Sequence, residues 1–166
     1  SRLKLFGHSV TEVRSPRILI AGCGTGKQSI TTAVTYNNSR VLAVDLSLAS
    51  LAYAKRKTQE LGIQNIEYMQ GDILSLSKMN EKFDIIECVG VLHHMKDPMA
   101  GWQTLKDCLK LGGLMKIGLY SECARKHIVQ LREKIKRSGV GVTDDDMKSF
   151  RHKLIQSTSQ ADRQIL

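Results

Sequence analysis

Short, mostly apolar stretches alternate with longer amphipathic ones along the first two thirds of the chain. Arg17–Ala21 (RILIA), Arg40–Asp45 (RVLAVD) and residues 65–70 (NIEYMQ), 83–88 (FDIIEC) and 114–119 (LMKIGL) are too short for typical helices and too apolar for a half-exposed sheet. They predict strands covered on both faces. Two helices are clearest between them. One opens at Ser47 as N-cap, carries Leu48, Leu51 and Leu61 near one face, and stops before Gly62. The other has Asp97 as N-cap and Pro98 at its first position, turns Met99, Trp102, Leu105 and Leu109 inward, and ends ahead of Gly112. Strand and helix alternating without an internal repeat predict an α/β fold, an open, mostly parallel sheet flanked by helices.

After Leu119 the pattern changes. Residues 122–137 read as a basic helix, Gly139, Val140 and Gly141 as a break, and Thr143 with Asp146 as a capping box for another helix. The triplet Asp144 to Asp146 fits the favourable charge of a helix start better than a cation site. No further strand pair follows. The expected organisation is an N-terminal extension (residues 1–16), an α/β core (17–120) and a basic helical segment (121–166) that looks truncated, as at the front of a larger α/β domain.

Composition adds limits. With 166 residues, 42% hydrophobic, 25% charged and two prolines, the chain is an ordinary globular domain and neither disordered nor fibrous. No run of eighteen apolar residues exists to span a bilayer, and the first residues lack a signal-peptide pattern, so a cytoplasmic protein is expected. The cysteines, Cys23, Cys88, Cys108 and Cys123, form no CxxC pair and are expected as reduced, buried small residues. The net charge of +9 favours anionic partners without naming one. Its excess is densest after residue 120, where any polyanion-binding surface is expected; no aromatic residues interleave there to stack on bases.

The candidate chemistry begins with Ala21-Gly22-Cys23-Gly24-Thr25-Gly26-Lys27, between the first strand and the next helix, where an open α/β sheet binds nucleotides. A phosphate-cradling P-loop fails at both ends: the position five before Gly26 is Ala21, and Lys27 is followed by Gln28. Lys27 then reads as a solvated helix residue. The dinucleotide fingerprint G-x-G-x-x-G is weakened but stays open, because Gly22 and Gly24 would put the third glycine at Lys27. What remains is G-x-G-x-G, bare backbone that lets a ligand without a pyrophosphate come close.

With Asp45 closing the second strand, Asp72 after the third, FDIIECVGVLHH around the fourth and LKLGGLMKIG leading into the fifth, the sequence resembles the class I S-adenosylmethionine-dependent methyltransferases, closest to their small-molecule-type domains. The resemblance covers about residues 17–120. It implies a Rossmann-like sheet, here lacking the last two strands that complete domains of the family carry, and S-adenosylmethionine as cofactor, with the methionine part against Gly22, Gly24 and Gly26, flanked by Ala21 and Cys23. Asp45 would accept from the ribose hydroxyls, with Leu46 against the sugar. Asp72, after Gly71, would receive the adenine amino group while Ile73 covers the ring, and the backbone at Cys88 would border the methionine end and the acceptor. Each has a plainer reading: a tight turn for the glycines, an Asx turn for Asp45, a loop cap for Asp72. Glu87 alternates away and reads as solvated.

His93 and His94 cannot easily chelate one metal as helical neighbours, and no metal site is expected. His94 is the better candidate to face an acceptor and remove a proton. The implied reaction is methyl transfer to a small molecule. RNA or protein methylation, a nicotinamide-dependent oxidoreductase and a non-catalytic fragment are the alternatives.

Overall fold

The computed structural model describes residues 13–121 and 123–157. The expected N-terminal extension falls mostly outside them, as do Glu122 and the residues after Ser157. The chain divides into two compact units between Leu119 and Tyr120.

In the first unit the strands are β1 (Arg17–Ala21), β2 (Arg40–Asp45), β3 (Ile66–Gln70), β4 (Phe83–Val89) and β5 (Leu109–Gly118). They form one sheet in the order β3-β2-β1-β4-β5, and every described pair is parallel. The fold is the expected Rossmann-like one. The apolar runs are buried for the reason their composition suggests: alternate residues of β1 enter opposite cores. Ile18 and Ile20 pack with Ala43, Ala33 and Leu51 on one face, and Leu19 and Ala21 with Val44, Ile86 and Leu105 on the other. The chain order reverses across β1, with β2 on one side and β4 on the other, and a crevice opens at the carboxyl ends of strands at such a switch.

The helices are α1 (Lys27–Thr35), α2 (Leu48–Glu60) and α3 (Pro98–Asp107), with short 3₁₀ segments at Ile73–Met79 and Leu92–His94. Both anticipated caps form. Ser47 Oγ accepts from the Ser50 N–H at 3.2 Å, and Asp97 Oδ1 accepts from Met99 and Ala100, each at 3.0 Å. The buried faces differ from expectation. In α2 they are Leu51, Ala54 and Thr58, whereas Leu48 and Leu61 stand exposed at the helix ends. In α3 the buried positions are Gly101 and Leu105, so Trp102 and Met99 are exposed rather than core residues. The cause is a close approach at Gly101, where a Cβ would lie 2.6 Å from Met95 Sδ.

Leu109 does not end α3. It opens β5, five residues before the expected start, opposite Phe83. The register then jumps to Ile85 opposite Leu114, so the intervening residues bulge and Leu111 is fully exposed. Gly112 at φ 77° makes that bulge possible.

The second unit holds α4 (Lys126–Ser138) and α5 (Asp144–Gln156). Helix α4 starts four residues later than read from the sequence. The capping box opens α5: the Asp146 N–H donates to Thr143 Oγ1 at 3.2 Å, and the Thr143 N–H donates to Asp146 Oδ2 at 3.3 Å. Cys23, Cys88 and Cys108 are free and buried, but Cys123 is exposed, contrary to the expectation for all four. No described helix is long and apolar enough to cross a membrane.

Candidate functional site

Between β1 and α1 the backbone takes three left-handed turns, at Gly22 (φ 80°), Gly24 (φ 52°) and Gly26 (φ 87°). Their surroundings differ. A Cβ on Gly22 would meet Val91 Cγ2 at 2.3 Å, and one on Gly26 would meet Ala54 Cβ at 2.6 Å. These two glycines let the β4 loop and α2 close on the turn. Around Gly24 a Cβ would meet nothing within 4 Å. Its bareness serves no packing contact.

The loop is hung on the end of β2. Gly22 and Cys23 donate N–H bonds to the Val44 carbonyl at 2.8 and 3.0 Å, and the Gly24 N–H donates to Asp45 Oδ2 at 2.7 Å. Asp45 Oδ1 accepts from the Ser47 N–H at 2.9 Å, forming the Asx turn ahead of α2, and its carbonyl accepts from Gly71 N–H at 3.1 Å. The Asp45 carboxylate thus joins the glycine loop to the start of α2, with lone pairs to spare, and its backbone carbonyl ties in the β3 loop. Asp72 Oδ1 caps the segment after β3 through the Leu74 N–H at 2.9 Å. Ile73, expected over the adenine, is buried in the core, while Leu46 is exposed. Ala21 and Cys88 are fully buried.

A cavity of about 500 Å³ lies against the loop, lined among others by Gly22, Cys23, Gly24, Gln28, Glu87 and Lys116. Asp45, Gly71 and Asp72 do not line it. Glu87 corrects the sequence reading: it is only 7% exposed, its Oε2 accepts from Gln28 Nε2, and Thr32 Oγ1 lies 3.4 Å from its Oε1. The signal was present, since a charge within the run FDIIEC sits in a strand that has no solvated face.

Burial, with the Asp45 charge beside it, pushes the Cys23 thiol up to about 11, and burial pushes Cys88 to about 11. Both stay neutral at physiological pH, so the loop is flanked by unreactive thiols rather than thiolates. His93 and His94 lie in the 3₁₀ turn, with ring centroids 4.2 Å apart and His94 exposed. Among the described residues no group of three His, Cys, Asp or Glu could hold a metal.

Bare backbone facing open space at Gly24, with a strand-end carboxylate bonded beneath it, fits an adenosyl amino acid: the loop admits close approach and Asp45 offers a two-oxygen acceptor. The fold is that of a class I S-adenosylmethionine-dependent methyltransferase domain. The chain belongs to the methyltransferase domain family, whose model matches residues 18–113, more than half its length. It is 38% identical over 121 residues to an uncharacterised protein of Synechococcus, covering 72% of this chain and 29% of that protein. A ubiquinone biosynthesis O-methyltransferase of Coxiella burnetii is 33% identical over 110 residues, covering 66% of this chain and 44% of the enzyme. The chain therefore spans less than half the length of these two relatives. Among solved structures it is similar to coclaurine N-methyltransferase bound to N-methylheliamine and SAH, with TM-score 0.58, 25% identity and coverage of 65% of this chain and 32% of that one. PKMT2 from Rickettsia typhi in complex with AdoHcy shares the fold at TM-score 0.75 and 24% identity, covering 97% of this chain and 33% of that one.

Proposed function

We propose that this chain is the cofactor-binding part of an enzyme that moves the methyl group of S-adenosylmethionine onto a small-molecule acceptor. The observation that carries the proposal is the pairing of Gly24 with Asp45 at the switch point of the sheet. In this reading the backbone of Gly22 to Gly24 lies against the amino-acid end and Asp45 takes the ribose hydroxyls on its remaining lone pairs. Gly71 and Asp72 border the adenine, and His94 accepts the proton where the acceptor is a hydroxyl. The cofactor supplies a methyl group already activated on a sulfonium. The protein's share is then mainly placement of the acceptor, a contribution on the order of 7–11 kcal/mol in well-oriented systems. A small-molecule acceptor is supported by the N-methylheliamine held by one structural relative and by a sequence relative that is a ubiquinone biosynthesis O-methyltransferase. A cytoplasmic setting accords with such an acceptor.

Calorimetry with S-adenosylhomocysteine tests the cofactor half. The wild type is expected to bind, and Asp45→Asn to bind more weakly by about 1.5–3 kcal/mol, the range for a hydrogen bond to a charged group. Binding unchanged in the variant would remove Asp45 from its role. For the acceptor half, labelled methyl is expected in the small-molecule fraction of a cell extract rather than on its protein or RNA.

A further inference from the structure

The charged groups lining the cavity beside the glycine loop are Lys27, Glu87 and Lys116. Glu87 and Lys116 are register partners on β4 and β5, so they share one face of the sheet, and Lys116 Nζ lies 3.7 Å from Glu87 Oε2. That separation is too long for a hydrogen bond, and the lysine is largely exposed. A carboxylate on a buried strand is costly unless matched. Here its close partners are neutral: the Gln28 amide and, more loosely, the Thr32 hydroxyl, both from α1. They orient the carboxylate without cancelling its charge.

An α-amino acid carries an ammonium and a carboxylate on one carbon, and its recognition needs an anion and a cation held close together. Glu87 and Lys116 are such a pair, and both line the cavity that Gly22 and Gly24 also line. We infer that Glu87 and Lys116 form a clamp for the zwitterionic end of the cofactor, Glu87 receiving the ammonium and Lys116 the carboxylate. The inference rests on the cofactor reading above and extends it to two residues outside the glycine loop. Gln28 acts as the positioning residue that holds the Glu87 carboxylate toward the cavity.

Two probes separate this role from a structural one: S-adenosylhomocysteine, which has the amino-acid end, and 5′-methylthioadenosine, which keeps the adenosine and lacks it. Calorimetry on the full chain is expected to show the wild type binding the first more tightly than the second. Glu87→Gln is expected to weaken S-adenosylhomocysteine about tenfold or more, the scale of a lost charged hydrogen bond, while leaving methylthioadenosine unchanged. Lys116→Gln, at an exposed site, is expected to lose about twofold to fivefold on the same ligand alone. Equal affinity of the wild type for the two probes overturns the clamp even where Glu87→Gln fails to fold. So does a variant that loses both probes alike, or one that binds S-adenosylhomocysteine as the wild type does. A wild type that binds neither probe refutes the cofactor reading itself.

Discussion

At the scale of single residues, the glycine loop shows that one motif can hold two kinds of constraint. Gly22 is required by its neighbour, since an added methyl would sit 2.3 Å from Val91 Cγ2. Gly24 has no such neighbour, and its φ of 52° lies in the left-handed region that other residues reach at a cost of about 1–2 kcal/mol. The two alanine variants should therefore separate. Gly22→Ala is expected to lower stability by about 1–3 kcal/mol through overpacking, on top of the backbone strain. Gly24→Ala is expected to fold with a loss of about 1–2 kcal/mol yet bind S-adenosylhomocysteine at least about tenfold more weakly, because its methyl enters the space left for the ligand. Thermal unfolding and calorimetry on both proteins check this. A Gly24→Ala variant with full affinity would mean the open space is not part of the site.

At the scale of elements, the strands are tied at their N-terminal ends by Asp84. Its Oδ2 accepts from the Arg17 N–H of β1 at 2.8 Å, and both its oxygens accept from Lys110 Nζ of β5 at 2.9 Å. Desolvation alone would raise the Asp84 pKa, but the hydrogen bonds from Lys110 and Arg17, with the Lys110 charge, hold the group below its ordinary value. The carboxylate is thus charged more readily in the folded chain than in the unfolded one. Its contribution is complete above the unfolded value, near 4, and is lost as pH falls toward the lower folded value. Denaturant unfolding is expected to show Asp84→Asn flattening part of the stability loss between about pH 5 and pH 2, the wild type converging on the variant at the acid end. A constant difference across that range would assign the effect to packing rather than charge.

The same elements show what a sequence discloses. Caps at Ser47, Asp97 and Thr143 were legible because a cap is chemistry between residues two or three apart, and the strands because burial on both faces leaves apolar runs. Helix faces were not. The inward face of α3 is set by Met95 and Leu92 lying against Gly101, a contact that periodicity counted from large residues passes over in favour of Trp102. The start of β5 was hidden by its bulge, since Leu109 pairs with Phe83 and Leu114 with Ile85, six residues set against three. In the candidate site, motif spacing pairs Gly24 with Asp45 and the apolar run FDIIEC signals the burial of Glu87, but the partners of Glu87 needed the fold, because they lie on α1 and β5.

At the scale of the whole molecule, the net charge of +9 and the choice of acceptor bear on each other. Helix α4 alone carries Lys126, Arg132, Lys134, Lys136 and Arg137 against Glu133, on a helix with no fully buried residue. Such a surface attracts any polyanion by releasing counterions, whether or not nucleic acid is a substrate. A small-molecule enzyme with this charge should show only that generic attraction. Filter binding of single-stranded RNA is expected to give weak retention, with dissociation constants of about 10⁻⁴–10⁻⁶ M at physiological salt, indifferent to sequence and falling steeply as salt rises. Tight retention that persists at high salt, or that singles out one sequence, would require contacts beyond phosphates. Either result would move the acceptor from small molecules to RNA, leaving the cofactor site as described.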